Sequence, residues 1–282
     1  MQELDLGTWA DFEGALKQID DTRRERSARC GRQLHDPLFR GLGSSEWGLE
    51  TTLERFYPSE RCDASLGLLK YYRDIGASKP SIETFSGGRW DKLPEYLAFE
   101  KQVKSNLLAF PWLDHLLWQT PDIYEYLVYL RHHGFPSPLL DWSASPYVAA
   151  FFAFDSPARE AQRVAVYAFL QDPSHIVSAD RHLFVVGRYL RSDPRHFLQQ
   201  CQYSMCVALD LKSSDYRFCS HQLGLGNAKG PEGEVFKITI PMTERLAALK
   251  HLDLMNINEF SLFGSDDSMV RTIARRELLF RG

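Results

Sequence analysis

An α+β fold, helical in its first half and strand-rich in its second, is the architecture this sequence predicts. Three observations carry that expectation. Apolar residues recur at helical spacing through most of the first half. The run Val164-Ala165-Val166-Tyr167-Ala168-Phe169-Leu170 is continuously apolar and rich in β-formers, as a buried strand requires. Between the two lies HHGFPSPLLDWSASPYVAAFFAF, residues 132–154, where polar groups and turn residues lead straight into an apolar helix. Neither an internal repeat nor a long linker divides the pattern.

Taken in order, Thr8 and Asp11 stand at capping-box spacing ahead of a stripe of Trp9, Phe12, Leu16 and Ile19. They predict a helix from position 8 to about position 26. PLFRG, residues 37–41, reads as a strand entering a glycine turn. Helices are expected at 65–75 and 94–110, separated by SKPSIETFSGGRW, which reads as a loop. Two more, at 111–119 and 121–132, each open at a proline, whose missing N–H is harmless in a first turn. After the central segment, strands are expected near 164–170, 205–209, 216–219 and 234–240, and helices at 243–252 and 265–279.

A chain of 282 residues with 44% hydrophobic and 13% aromatic content can bury a sizeable core. Its net charge of −4 argues against a dedicated nucleic-acid binder. Arg23, Arg24, Arg26, Arg29 and Arg32 form a basic run, which reads as a solvated helix face. Cysteines 30, 62, 201, 206 and 219 are odd in number and scattered, which suits free thiols in a reducing compartment. The opening MQELDLGTWADFEGAL lacks the basic and apolar regions of a secretory signal, and no stretch reaches about 18 apolar residues. The expectation is a soluble cytoplasmic protein with no membrane association.

Within the central segment, Gly134, Pro136 and Pro138 end the preceding helix and force an extended path, so that Asp141 ends a short strand. Ser145-Pro146 is a helix start, with Ser145 as cap and Pro146 in the first turn. Free N–H groups there, beside the Ser143 and Ser145 hydroxyls, suit a phosphate or carboxylate. The competing account makes Asp141 and Ser143 turn residues that satisfy backbone groups and His133 a hydrogen-bonded core residue. A metal site would need His132, His133 and His221 to converge with acids, and no metal is expected. The glycine elbow of a serine hydrolase and a phosphate-binding P-loop are both missing.

Phe39-Arg40-Gly41, WGLETTLER (47–55) and the central segment together resemble the FRG-domain family, named for its Phe-Arg-Gly motif. The resemblance extends through HQLGLG (221–226) to SLFGSDDSMVRTI (261–273), so it implies a helical extension over residues 1–33 and an FRG-type α+β domain over 34–282. Two departures stand out. Ser137-Pro138 occupies the place where the family commonly has Thr-Arg, and Leu225-Gly226 follows where it commonly has Phe.

The resemblance implies an ADP-ribosyltransferase-like split sheet around one cleft, with NAD as substrate. Arg40 would hold the pyrophosphate, Ser143 or Ser145 would position the nicotinamide ribose, and a late Gln222 or Glu234 would stabilise the oxocarbenium-like centre. Glu232-Gly233-Glu234 has the spacing that such transferases favour, whereas Gln222-Leu223-Gly224 offers no second carboxylate. Arg40, His133, Asp141, Ser143, Ser145 and Gln222 are expected to share one pocket. The setting implied is a bacterial toxin or phage-defence effector, with a protein or nucleic-acid target and an antitoxin or defence partner. The alternative is a non-enzymatic module that binds a nucleotide or a protein.

Overall fold

The computed structural model of this chain describes residues 1–57, 67–107, 120–171, 181–186, 194–226 and 235–281. Its strands are β1 Gln2–Asp5, β2 Leu38–Leu42, β3 Leu140–Ser143, β4 Arg163–Phe169, β5 Arg181–Val186, β6 Cys201–Asp210, β7 Asp215–Phe218 and β8 Val235–Pro241. Its helices are α1 Phe12–Cys30, α2 Thr52–Phe56, α3 Leu68–Ser86, α4 Tyr96–Ser105, α5 Pro121–His132 and α6 Pro146–Asp155. After these come α7 Pro194–Leu198, α8 His221–Gly226, α9 Arg245–Leu254, α10 Glu259–Phe263 and α11 Asp266–Arg275.

The fold is α+β. Among the described residues, all eight strands join one mixed sheet in the order β1-β8-β4-β2-β3-β6-β5, with β7 also paired to β6. Of these described pairings, that of β1 with β8 is parallel and the others are antiparallel. The sheet is narrowest between β2 and β3, where the ladder is a single pair, Phe39 opposite Ser143. By contrast β2 pairs with β4 over five positions, Leu38 to Leu42.

Strand alternation sorts the core. On one face, Phe39, Val166 and Ile238 pack with Phe151, Ala153 and Phe154 of α6, while Tyr203, Met205 and Val207 pack under α3, α4 and α5. The β2–β3 seam therefore lies between two separate helical covers. On the opposite face, Leu38, Leu42, Leu140, Trp142 and Tyr167 pack with Leu49 and Leu225.

Glycine in the Phe-Arg-Gly triplet has a steric cause. A Cβ on Gly41 would sit 1.8 Å from the Ala149 carbonyl oxygen and 2.8 Å from the Ala153 backbone nitrogen. Strand β2 and helix α6 thus touch backbone to backbone, and the small Ala149 and Ala153 permit it.

Several expectations need correction. Helix α3 runs through Pro80 to Ser86, across most of the segment read as a loop, and ends at Gly87 with φ of 72°. Proline removes only one helical hydrogen bond, and the residue whose carbonyl it would crowd is Gly76. Core packing of Tyr71, Tyr72 and Ile75 holds the helix regardless. Helix α4 stops at Ser105, earlier than expected. The helix expected at 111–119 lies outside the described residues. The N-terminal helix begins later, at Phe12, after a 3-10 turn over Trp9–Asp11. Strand β1 was not foreseen, because QELD shows no apolar alternation and pairs only through its distant partner β8. Among the described residues, no helix is long and apolar enough to cross a membrane.

Candidate functional site

Beyond the Phe39–Ser143 pair the two central strands part, and the Arg40 side chain enters the gap. Its Nη1 donates to the Asp141 backbone oxygen at 2.7 Å, a carbonyl that a continued β2–β3 ladder would otherwise engage. The side chain is only 12% exposed, and its Nε has no hydrogen-bond partner among the described residues. Burial lowers the Arg40 pKa to about 10, against the raising influence of Asp141, so the group stays cationic at neutral pH.

Asp141 is not available to neutralise it closely. Arg131, in the last turn of α5, holds that carboxylate bidentately, Nε to Oδ1 at 3.0 Å and Nη2 to Oδ2 at 2.6 Å. The Arg40 guanidinium stands 4.0 Å from Oδ2. Sequence reasoning placed Asp141 in the site but missed Arg131. Its only local signal is a basic residue at a helix C-terminus, directly ahead of the segment.

Two cavities meet at Arg40. One, of about 210 Å³, is lined by Phe39, Arg40, Gly41, Asp141, Ser143 and Cys201, among others. The other, of about 520 Å³, is lined by Arg40, Glu46, Trp47, Glu50, Arg55 and Phe152, among others. Trp47 is 49% exposed, yet its backbone is anchored: the Tyr167 hydroxyl donates to its carbonyl oxygen at 3.1 Å.

Ser143 and Ser145 build the turn that carries α6. The Ser143 hydroxyl donates to the Gln199 carbonyl at 2.8 Å and accepts from the Ser145 N–H at 3.0 Å. The Ser145 hydroxyl accepts from the Val148 N–H, as the Ser-Pro start predicts. Ser143 still lines the smaller cavity, but both hydroxyls are engaged with backbone. Gln222 lies behind the wall of the larger cavity, its Oε1 accepting from the Leu49 N–H at 3.3 Å beside the lining residue Gly48.

His133 departs from the expected convergence. It lines a third cavity with Ile82, Phe85, Tyr129 and Phe135, and its ring lies 4.2 Å from that of Tyr129. Neighbouring helical residues point about 100° apart, so His132 turns the other way and meets the Tyr203 hydroxyl at 2.8 Å. His221 is fully buried in the opposite layer, so the three histidines stay apart. Glu234 and Glu232 lie outside the described residues.

The site thus combines a strand-borne arginine in the gap between β2 and β3 with a helix that starts at Ser145-Pro146. Residues 35–162 match the FRG domain. The chain therefore carries an FRG domain over that stretch, which is just under half of its length. The matched stretch contains Arg40, Arg131, His133, Asp141, Ser143 and Ser145 and ends before Gln222. No curated protein and no solved structure matches the chain.

Proposed function

We propose that the seam cleft binds the diphosphate of a nucleotide, with NAD as the first candidate and Arg40 as the anchor. The observation that carries this is the Arg40 Nε, a buried donor on a cation, unpartnered among the described residues and bordering both cavities. Leaving such a donor unsatisfied costs about 1–3 kcal/mol, which a phosphate oxygen would recover. Arg55 adds positive charge at the larger cavity, and Trp47 and Phe152 offer aromatic faces to a base or nicotinamide ring. The parting of β2 from β3 after one pair is the feature that supports an ADP-ribosyltransferase-like split-sheet cleft.

In the enzymatic form of this proposal, NAD cleavage needs a carboxylate beside the ribose that loses nicotinamide. Glu46 and Glu50 line the larger cavity and join Glu234 as candidates for that role, with Gln222 bracing the wall from behind. A bacterial toxin or phage-defence effector is the setting such chemistry would serve. Binding without transfer is the second reading. It is favoured by the Ser143 and Ser145 hydroxyls, both already engaged with backbone groups.

Nicotinamide release and the thermal shift on adding NAD test both forms on wild type, Arg40→Gln and Arg40→Lys, each first shown to melt cooperatively. Binding is expected to raise the melting temperature of wild type and to vanish in Arg40→Gln. Release of nicotinamide by wild type alone selects the enzyme, and a thermal shift without release selects the binding module. Absence of any NAD-dependent shift in wild type would sink both.

A further inference from the structure

The geometry points to Cys206 and Cys219 as a disulfide-forming pair, a covalent modification site lying outside the stretch matched by the FRG domain. The two sulfurs are 2.9 Å apart. Register explains the approach. Val207 pairs with Phe218 across β6 and β7, so Cys206 faces Cys219 one step beyond the ladder, and the Cys219 N–H donates to the Cys206 carbonyl at 3.0 Å. Hydrogen-bonded antiparallel pairs have Cα atoms about 5.5 Å apart, inside the range of about 4.4–6.8 Å that a disulfide spans. Closing the sulfurs to the bonded distance of about 2.05 Å therefore needs less than about 1 Å of movement.

Accessibility gives the order of events. Cys206 is buried in the sheet's lower core, whereas Cys219 is partly exposed. In the reaction proposed, the oxidant is a small disulfide such as oxidised glutathione. The Cys219 thiol loses its proton to solvent, and its thiolate attacks one sulfur of the oxidant. A protein–glutathione bond forms as the oxidant's S–S bond breaks, and the first glutathione leaves as a thiolate that takes up a proton. Deprotonated Cys206 then attacks the Cys219 sulfur and displaces the second glutathione. Two electrons pass from the protein thiols to the oxidant, and two reduced glutathione molecules result.

The bond would also act on the neighbouring chain. Ser220, whose hydroxyl accepts from the Gln222 N–H at 3.2 Å, links Cys219 to α8, and Gln222 holds Leu49 behind the cleft wall. Fixing Cys219 to β6 would fix the root of that helix. The proposal does not depend on what the cleft binds.

Peptide mapping of the full chain after oxidised glutathione, with and without dithiothreitol, tests the pair. A reversible Cys206–Cys219 linked peptide is expected in wild type, with a glutathione adduct retained on Cys219 in Cys206→Ser. Amide exchange over residues 220–226 is expected to slow on oxidation. Full alkylation of both thiols after oxidant, with no linked peptide, would overturn the assignment. A linked peptide with unchanged exchange over 220–226 would overturn the coupling to α8.

Discussion

The two halves of the sheet, on either side of the β2–β3 seam, are held together by different means. In the half built from β1, β8, β4 and β2, long ladders and small residues bring backbones into contact, as Gly41 does with Ala149 and Ala153 of α6. In the half built from β3, β6, β5 and β7, with its covering helices, tyrosine hydroxyls tie distant backbone carbonyls. Tyr71 donates to the Pro136 carbonyl, Tyr126 to that of Ile75, and Tyr216 to that of Leu107. The difference teaches where a ligand fits. On the opposite face Leu38, Tyr167, Leu140 and Trp142 pack across the seam, but in the plane of the sheet the described residues bridge it with one strand pair and the Arg40 side chain, so the gap and its charge are left for another occupant.

Breaking the first half should have the largest effect. Gly41→Ala places a methyl carbon inside the van der Waals surface of the Ala149 carbonyl, and backbone cannot rotate away. A loss of about 3 kcal/mol or more is expected in chemical denaturation. A loss under about 1 kcal/mol would mean that α6 shifts freely on β2.

Changing the charge at the seam sharpens the comparison through opposite signs. Asp141→Asn removes the bidentate partner of Arg131 while the Asp141 backbone oxygen still accepts from Arg40. Stability should fall by about 2 kcal/mol, discounted for partial exposure of the pair. Affinity for inorganic pyrophosphate, by calorimetry, should rise because a competing anion is gone. A fall in both would show that Asp141 shapes the cleft instead of competing within it.

A pH-dependent effect concerns the layer beneath. Burial pushes His221 down to about 3, with the Arg40 charge adding to the effect, so the native ring stays neutral when the unfolded ring takes a proton. Unfolding then binds a proton below about pH 6.5, and stability falls as the pH drops toward 3, by at most about 1.4 kcal/mol per unit. Denaturation midpoints between pH 7 and 4 should flatten in His221→Leu relative to wild type; parallel slopes would remove His221 from the acid response.

Local chemistry was legible in the sequence and long-range partnership was not. The Ser145 cap with Pro146 after it, the buried β4 run and the strand around Arg40 follow from neighbouring residues, although Gly41 lies inside β2 where a turn was expected. Asp141 was recognised, but its partner Arg131 is fixed by the packing of α5 over β3, which spacing does not disclose. His133 was misplaced for a related reason: one step along a helix turned it from the seam toward Tyr129. Engagement of Ser143 depends on Gln199, fifty-six positions away. The α+β class needed only the texture of the elements, whereas the seam needed their order in the sheet.

A crystal structure with NAD bound tests the central claim most directly. The diphosphate should lie in the β2–β3 gap with an oxygen accepting from Arg40 Nε, and the nicotinamide or adenine ring should lie against Trp47 or Phe152. NAD seated away from Arg40, or an empty seam at saturating NAD with the ligand ordered elsewhere, would contradict it.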